Sequence, residues 1–217
     1  MSKKKLLIVL FELGHGGAEN IMLNIARRLC NNFDVHFMIL SDKSNAFQKL
    51  EDNIHIHYLR TKRIRKGIIK SFIFFRKNKY DIVFFNLWPI SFLTLTALFI
   101  ARPIDFYTTN KIIFEHSVLS EQYSRKSFLF RWIVRLSIRL IYNLADKVIS
   151  VSEGVRKELE NYGLRKVKSI CLPNPLIIKT NKLILSDFQN KTLKDWQSSD
   201  AIKVIAIGSL KQQKNYH

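Results

Sequence analysis

The sequence predicts an α/β protein with a Rossmann-like, doubly wound and mainly parallel sheet that has helices on both faces. Apolar runs without alternation, such as Leu6 to Phe11 and Tyr80 to Phe85, are typical of strands that are buried on both sides. Amphipathic segments follow most of these runs, so strands and helices alternate along the chain. Right-handed crossovers then place a ligand site at the carboxyl ends of the strands.

The first part of the chain supplies four strands and two helices. In the helix predicted from Glu19 to Cys30, Ile21, Ile25 and Leu29 recur four residues apart and form an apolar face. A second, basic helix is predicted from Gly67 to Lys77. The strands are predicted at Leu6–Phe11, Val35–Leu40, Ile54–Leu59 and Tyr80–Phe85.

The second part continues the alternation until a proline-containing segment ends it. Gly163 follows the helix predicted from Glu153 to Tyr162, at the position where glycine commonly terminates a helix. Pro173-Asn174-Pro175 then stops the last strand. The other predicted elements are helices at Pro89–Ala101 and Phe128–Leu144, and strands at Lys111–Glu115, Lys147–Val151 and Val167–Leu172.

Two apolar segments resemble a transmembrane helix and a signal peptide, respectively. The run from Ile82 to Ala101 carries no charge and meets the threshold of ~18 residues for a transmembrane helix. Asn86 and Pro89 interrupt it where a buried strand would pass into a helix, so we expect a strand and a helix, with a membrane span as the alternative. Leu6 to Phe11 is shorter than the ~7–15 residues of a signal-peptide core and is expected to be a strand.

The composition predicts a domain boundary near Pro175. Residues 1–175 are expected to form the Rossmann-like domain and residues 176–200, which are mixed and polar, to form a linker. The apolar segment from Ala201 to Ile207 resumes as a strand without a following helix. A lone strand cannot bury its faces, so residues 201–217 are expected to begin a second, truncated Rossmann domain.

The chain is strongly basic, with 36 lysines and arginines against 17 acidic residues and a net charge of +19. Such an excess favours nucleic acid, an anionic bilayer surface or phosphorylated ligands as partners, the alternative being a solvated basic surface. The helix predicted from Phe128 to Leu144 sets Arg131, Arg135 and Arg139 beside Trp132, which suits an anionic membrane. The alternative is that its apolar stripe belongs to the core. No nucleic-acid-binding module is recognised, so nucleic acid is not expected.

The cysteines give no indication of a metal site. Cys30 and Cys171 lie in separate apolar runs, and the sequence has no CxxC motif or Cys/His cluster. Both are expected to be buried, reduced thiols of a cytosolic protein. No metal and no resident cofactor are expected.

A glycine-rich loop follows the first strand. It reads Gly14-His15-Gly16-Gly17-Ala18-Glu19 and leads directly into a helix, whose amides favour anionic oxygens. Glu19 stands where the dinucleotide fingerprint GxGxxG has its last glycine, so that fingerprint is absent. On its own, a double glycine between a strand and a helix is more often just a tight turn.

Five further segments stand in an order and spacing that, together with this loop, resemble the retaining family-four glycosyltransferases of the double-Rossmann (GT-B) architecture. The resemblance covers nearly the whole chain and begins with the Gly-Gly-Ala-Glu sequence at the first helix. The other segments are Asp81-Ile82-Val83, Ile113-Phe114-Glu115-His116, Ala145 to Glu153, Pro173-Asn174-Pro175, and Ile207-Gly208-Ser209-Leu210 with Lys214 and Asn215.

The resemblance implies transfer of a sugar from a nucleotide-diphosphate sugar to a glycan or lipid-linked acceptor, in surface polysaccharide or glycolipid synthesis and without a metal. It implies that Gly16 and Gly17 lie against the donor phosphates or the acceptor. His116 is implied as the catalytic residue that hydrogen-bonds the transferred sugar and the charge developing near it. Lys214 is implied to contact the diphosphate, although Ser209 replaces the arginine that normally accompanies it.

The acceptor side is assigned on the same resemblance. Asn86 and Trp88 stand where the family pattern usually has histidines, and Glu115 precedes His116 at the end of its strand. We therefore expect Asn86, Trp88 and Glu115 on the acceptor side of the cleft.

The family's second domain carries the nucleotide site, so we expect this chain to bind the donor poorly by itself. Three accounts stay open: a fragment of a longer enzyme, a subunit that pairs with a separate donor domain, or a non-catalytic membrane- or acceptor-binding module. The rival class is a nicotinamide-dependent oxidoreductase. Tyr58 and Lys62 have its Tyr-x-x-x-Lys spacing, but they lie at a strand end before a basic loop.

Overall fold

The computed structural model describes residues 3–14, 16–41, 53–61 and 64–175, together with the single positions 194 and 198. The chain divides into two compact units, Met1–Asn174 and Pro175–His217. The predicted linker and the predicted start of a second domain, with Lys214, lie outside the described residues apart from those two positions. Their assignments stay predictions.

Within the described residues, seven strands form one sheet in which every pair of neighbours is parallel. The order is β3-β2-β1-β4-β5-β6-β7, so the direction of winding reverses between β1 and β4. This confirms the prediction of a Rossmann-like, doubly wound parallel sheet. The strands are β1 (Lys4–Leu10), β2 (Phe33–Ser41), β3 (Ile54–Thr61), β4 (Ile82–Asn86), β5 (Asn110–Glu115), β6 (Lys147–Ser150) and β7 (Ser169–Cys171).

The helices connect these strands and cover the sheet. They are α1 (Gly17–Leu29), α2 (Ile64–Lys77), α3 (Ile90–Ala101), α4 (Leu119–Gln122), α5 (Phe128–Leu140) and α6 (Glu153–Asn161), with short 3₁₀ turns at Asp105–Tyr107, Tyr142–Leu144 and Lys166–Lys168.

The first strand shows why its sequence is apolar without alternation. Leu6, Ile8 and Leu10 pack into one buried cluster, which includes residues of α1. Leu7 and Val9 point to the other face, into a second cluster that includes residues of α2 and α3. Both faces of β1 are thus removed from water, as the unbroken apolar run predicted.

The structure differs from the sequence-based expectation in three places. The helix predicted to run to Leu144 ends at Leu140, and Tyr142 lies fully buried in a 3₁₀ turn. The last strand begins only at Ser169, because Lys166–Lys168 forms a 3₁₀ turn. Cys171 is half-buried and not buried as expected, since it lies in the edge strand β7.

The uncharged run from Ile82 to Ala101 divides into β4 and α3, as expected. Leu95 and Ala97 of α3 are buried against the sheet cluster, which explains why the helix is apolar nearly all round. No helix among the described residues is long and apolar enough to cross a membrane.

Helix α5 has two apolar faces of different kinds. Val134 and Ile138 are buried in the core. Trp132 and Leu129, by contrast, are 50% and 65% exposed, and Phe128, Ile133 and Leu140 are exposed as well. The stripe beside the arginines is therefore core only in part: Leu136 is half-buried, whereas Trp132, Ile133 and Leu140 are exposed.

Gly163 ends α6 in the way the sequence predicted. Its φ of 100° lies in a region that L side chains rarely adopt. Its amide donates to the Glu160 carbonyl at 2.9 Å, and the Leu164 amide donates to the Leu159 carbonyl at 3.0 Å. This pair of bonds is the Schellman termination of a helix. A Cβ at Gly163 would also lie 3.0 Å from Cγ of Arg139.

We expect Gly163→Ala to lower the free energy of unfolding by about 1–2 kcal/mol, because alanine would be strained at this φ. Gly154→Ala is the matched control. Gly154 is exposed in the first turn of the same helix and the nearest atom to an added Cβ is 3.8 Å away, so alanine there should be neutral or stabilising by up to about 1 kcal/mol. Urea denaturation of both variants measures the difference, and equal stability would contradict the assignment.

Candidate functional site

The carboxyl ends of the parallel strands lie at one edge of the sheet, and the winding reverses there between β1 and β4. In open α/β sheets, ligands bind in the crevice at this switch point. The loop after β1 contains Gly16 and Gly17, β4 ends at Asn86, and β5 ends at Glu115. Most of the predicted site residues are therefore brought to a common edge.

The glycine-rich loop brings the backbone close to the start of α1. Gly16 is the residue that precedes the helix, and it provides no side chain to cap the helix amides. The carboxylate of Glu19 lies directly against Gly16, where an added Cβ would overlap Oε2 of Glu19, whereas an added Cβ at Gly17 would meet nothing within 4 Å. An anionic ligand at this helix start would therefore have to displace the Glu19 side chain. His15 lies outside the described residues.

The segment after β4 is held by hydrogen bonds to β5. Leu87 has a φ of 59°, and its amide donates to the Phe114 carbonyl at 3.0 Å. The amide of Trp88 donates to Oε2 of Glu115 at 3.1 Å. Its indole Nε1 donates to the Ser137 hydroxyl at 3.0 Å, which ties the loop to α5. Trp88 is consequently a buried residue in a fixed position.

Glu115 is the centre of a buried hydrogen-bond chain. Its carboxyl group is fully buried, and Oε2 also accepts a hydrogen bond from the Tyr142 hydroxyl at 2.9 Å. Since that hydroxyl has only one proton, the Ser91 hydroxyl donates to Tyr142 in turn, at 2.6 Å. The chain Ser91–Tyr142–Glu115 therefore connects α3, the turn after α5 and β5.

Burial raises the pKa of Glu115 from its usual 4.5 to about 7, against the opposing effect of the hydrogen bonds from Tyr142 and from the Trp88 amide. Near neutral pH the group is close to the midpoint of its titration. Its other oxygen, Oε1, is buried and has no partner of standard hydrogen-bond geometry among the described residues, although the backbone amides of His116 and Ser117 also favour the ionised form.

His116 follows β5 directly and is largely enclosed. Burial lowers the pKa of its imidazole, while the neighbouring side chain of Asn174 favours the protonated form and only partly offsets this effect. Neither ring nitrogen has a hydrogen-bond partner of standard geometry in the described part of the chain. A neutral imidazole of this kind can donate one hydrogen bond and accept another.

Several buried polar atoms at this edge lack a hydrogen-bond partner of standard geometry among the described residues. They are Asn86 Oδ1 at the end of β4, Glu115 Oε1 and the two nitrogens of His116 at the end of β5, and Ser150 Oγ at the end of β6. Burying a polar atom unpaired costs about 1–3 kcal/mol, so such groups are uncommon in proteins. Their concentration at the carboxyl ends of the strands marks this edge as the candidate ligand site.

The structure thus brings five of the seven predicted site residues into two neighbouring groups and places a sixth within them as a support. Gly16 and Gly17 lie after β1, while Asn86, Trp88 and His116 lie at the ends of β4 and β5. Glu115 is buried beneath them, and its contact with an acceptor stays a prediction, as do those of Asn86 and Trp88. Lys214 lies outside the described residues.

Four polar residues of this edge were not predicted as site residues. Ser150 and Asn174 stand inside the segments that carry the family resemblance, so the sequence contained a signal for them. Ser91 and Tyr142 had none, because both appeared as ordinary members of apolar helices. Their roles depend on contacts with Glu115, which is distant in the sequence.

Comparison with known proteins agrees with this geometry. The family model described as Glycosyltransferase Family 4 matches residues 15–178. The chain is 25% identical over 225 residues to the N-acetylgalactosamine-N,N'-diacetylbacillosaminyl-diphospho-undecaprenol 4-alpha-N-acetylgalactosaminyltransferase of Campylobacter jejuni. The alignment covers 98% of this chain and 57% of that enzyme, so the chain spans little more than half the length of this relative.

Solved structures show the same fold at low sequence identity. HepE of Anabaena, crystallised with UDP and glucose, is 18% identical with a TM-score of 0.58, over 90% of this chain and 50% of its own. The UDP-N-acetylglucosamine 2-epimerase of Rickettsia bellii is 15% identical with a TM-score of 0.52, over 92% of this chain and 50% of its own. Because one fold carries both chemistries, these structures establish the architecture alone.

The assignment comes from the family match, which extends from the glycine-rich loop past the Pro-Asn-Pro segment and so includes each described residue of the edge. This match also excludes the oxidoreductase alternative. The chain belongs to glycosyltransferase family 4.

Proposed function

We propose that this chain is the acceptor-side half of a retaining glycosyltransferase, which transfers a sugar from a nucleotide-diphosphate sugar to a lipid-linked or glycan acceptor in surface polysaccharide or glycolipid synthesis. The observation that carries this proposal is His116, whose ring nitrogens have no hydrogen-bond partner of standard geometry among the described residues, at the carboxyl edge of the sheet in a chain of this family. A neutral imidazole and a sugar hydroxyl can each donate and accept a hydrogen bond, which makes them suitable partners.

Charges of opposite sign develop during the reaction, and two different parts of the edge would stabilise them. Transfer builds positive charge at the anomeric carbon and negative charge on the leaving diphosphate. A neutral His116 places a hydrogen-bonding ring next to the transferred sugar without adding a repelling positive charge. The amides at the start of α1, next to Gly16 and Gly17, would favour phosphate oxygens once the Glu19 side chain moves aside. Lys214 would add a cation on the diphosphate, and no metal is required.

Glu115 acts as a positioning residue in this scheme. It is fully buried and holds the amide of Trp88, so it fixes the loop that follows β4 next to His116. Asn86 and Trp88 then form the acceptor side of the edge, with Glu115 below them. The loop is supported from α5 as well, because the Trp88 ring packs edge-on against Phe130 at 5.5 Å.

The substrates to test first come from the relatives. The Campylobacter enzyme is named for the transfer of N-acetylgalactosamine to a diphospho-undecaprenol-linked acceptor. HepE was crystallised with UDP and glucose. UDP-sugars and polyprenyl-diphosphate-linked saccharides are therefore the first donor and acceptor classes for this chain, with the nucleotide site supplied by a donor domain.

An anionic membrane surface is the proposed location of the acceptor. Exposed Phe128, Leu129 and Trp132 lie in the first turns of α5, next to the basic residues Arg131 and Arg135. The segment that leads from the carboxyl end of β5 enters α5 at this end, so the exposed apolar side chains lie on the side of the candidate site. Each basic residue near an anionic surface contributes about 1 kcal/mol, and the apolar side chains add their burial.

A transfer assay tests the function. The full chain is supplied with a family donor domain, a panel of UDP-sugars and a polyprenyl-diphosphate-linked saccharide in vesicles, and labelled product is measured. We expect transfer only when the donor domain is present. His116→Ala should lower kcat/KM by about 10²–10³-fold at an unchanged Tm, whereas His116→Gln should retain more activity. Vesicle binding without transfer under every condition would favour the non-catalytic binding module instead.

The raised pKa of Glu115 predicts a pH-dependent stability. Because the folded state binds the proton more tightly than the unfolded state, the contribution of Glu115 is fully present below about pH 4.5 and is lost as pH rises through about 7. Glu115→Gln keeps the shape and removes the ionisation. Its stability relative to the wild type should therefore rise by up to about 3 kcal/mol between about pH 5 and pH 8.

Urea unfolding at both pH values measures this difference. Glu121→Gln, which removes an exposed carboxyl group from α4, is the control and should keep the wild-type pH dependence. An unchanged difference between Glu115→Gln and the wild type across this range would show that the buried carboxyl group titrates normally.

The membrane proposal predicts that Leu129→Glu combined with Trp132→Glu weakens binding to anionic vesicles by at least about tenfold, because each substitution replaces an inserted apolar group with a repelled charge. Val167→Glu is the control, because Val167 is apolar, 75% exposed and outside α5. This variant should bind anionic vesicles like the wild type. Co-sedimentation with anionic and neutral vesicles provides the measurement. Equal binding by both variants would leave α5 without a role at the membrane.

A further inference from the structure

A cluster of four polar side chains lies on one face of β2 and β3, close to the amino ends of these strands. Asp34 and His36 are two residues apart in β2, and His55 and His57 are two residues apart in β3, so each pair shares a face. His36 is the register partner of His55, which brings the two pairs together. We name Asp34, His36, His55 and His57 the histidine cluster. It lies at the opposite end of the strands from the candidate transfer site.

Two of the three distances between ligand atoms of Asp34, His36 and His55 are those of ligands around a single ion. Oδ1 of Asp34 lies 3.2 Å from Nε2 of His36 and 3.5 Å from Nε2 of His55. One ligand atom from each of these residues lies within 4.8 Å of the others. Oxygen and nitrogen ligands at about 2.0–2.2 Å from a tetrahedral zinc ion are about 3.4 Å apart, which agrees with the two measured contacts.

Asp34 and His57 hold the His36 ring from its two nitrogens. Nε2 of His36 is buried and lies 3.2 Å from Oδ1 of Asp34, a contact that falls outside standard hydrogen-bond geometry but favours the protonated ring. The other nitrogen of the ring, Nδ1, lies 3.0 Å from Nε2 of His57. His57 therefore orients the His36 ring with Nε2 toward Asp34, which is the arrangement of a metal-ligating histidine with its outer partner.

The histidine cluster is accessible from solvent. The side chains of His55 and Asp34 are 58% and 31% exposed, and both line a surface cavity of about 850 Å³. An ion could enter there and keep water as its fourth ligand. Lys3, Lys5 and Lys79 also line this cavity and oppose a cation, so the affinity depends on the carboxylate of Asp34.

We propose that Asp34, His36 and His55 bind a divalent transition-metal ion of the zinc class, with His57 as the residue that orients His36. Two imidazoles and one carboxylate suit zinc and its neighbours, whereas magnesium and calcium prefer sites made of oxygen ligands. The ion would join β2 to the edge strand β3. Its role is separate from sugar transfer, which takes place at the other edge of the sheet.

Metal titration of the purified full chain tests the site. We expect Zn²⁺ to raise the Tm of the wild type, Mg²⁺ to leave it unchanged, and Co²⁺ to give the visible absorption of a tetrahedral nitrogen and oxygen site. His55→Ala and Asp34→Asn should each weaken Zn²⁺ binding at least tenfold in calorimetry. His57→Gln should weaken it by about 10–100-fold, as loss of an outer partner does.

Asn53→Ala is the matched control, because Asn53 lines the same cavity and is not a member of the histidine cluster. It should bind Zn²⁺ like the wild type. His55 is exposed, so its alanine variant should fold normally, and circular dichroism checks this. Absence of Zn²⁺ binding by the wild type, or wild-type binding by His55→Ala, would overturn the proposal. The second result would place the ion on other side chains.

Discussion

A single buried carboxyl group fixes the geometry of the candidate site. Glu115 accepts hydrogen bonds from the Trp88 amide and the Tyr142 hydroxyl, and Tyr142 in turn is held by Ser91. These bonds join β5, the loop after β4, the turn after α5 and helix α3. Removal of either partner would leave a buried polar group unpaired, so the arrangement is strongly specified. His116, the next residue in the chain, takes its position from this support.

The two ends of the sheet differ in chemistry because, in a parallel sheet, all carboxyl ends of the strands lie at one end and all amino ends lie at the other. At the carboxyl ends, Asn86, Glu115, His116 and Ser150 carry polar atoms without partners of standard geometry in the described residues, on the side of the sheet where α1 begins. At the amino ends of β2 and β3, the histidine cluster combines imidazoles with one carboxylate. The first end suits a sugar and a diphosphate, and the second suits a cation. One fold can thus hold two independent sites.

Helix α5 carries exposed basic and apolar residues on one side and contacts the core and the candidate site on the other. Val134 and Ile138 hold the helix on the sheet, and Phe130 packs against Trp88 at the candidate site. Periodicity predicted an amphipathic helix here, but it could not decide which apolar stripe is buried, since Trp132 and Ile138 both recur at helical spacing. Contacts with β5 and α3 decided this. The end of the helix at Leu140 was also missed, because Tyr142 leaves the helical path to reach Glu115.

The sequence by itself determined the alternation of strands and helices, the division of Ile82 to Ala101 into a strand and a helix, the end of α6 at Gly163, and the family, because these follow from local pattern and from ordered motifs. It also placed Gly16, Gly17, Asn86, Trp88 and His116 at strand ends. The tertiary structure decided what local pattern does not contain. It showed Glu115 as a buried support, gave Tyr142 its partner, exposed Trp132, and brought Asp34 and His55 together from adjacent strands. Each of these depends on contacts between residues far apart in the sequence, which form only when the sheet assembles.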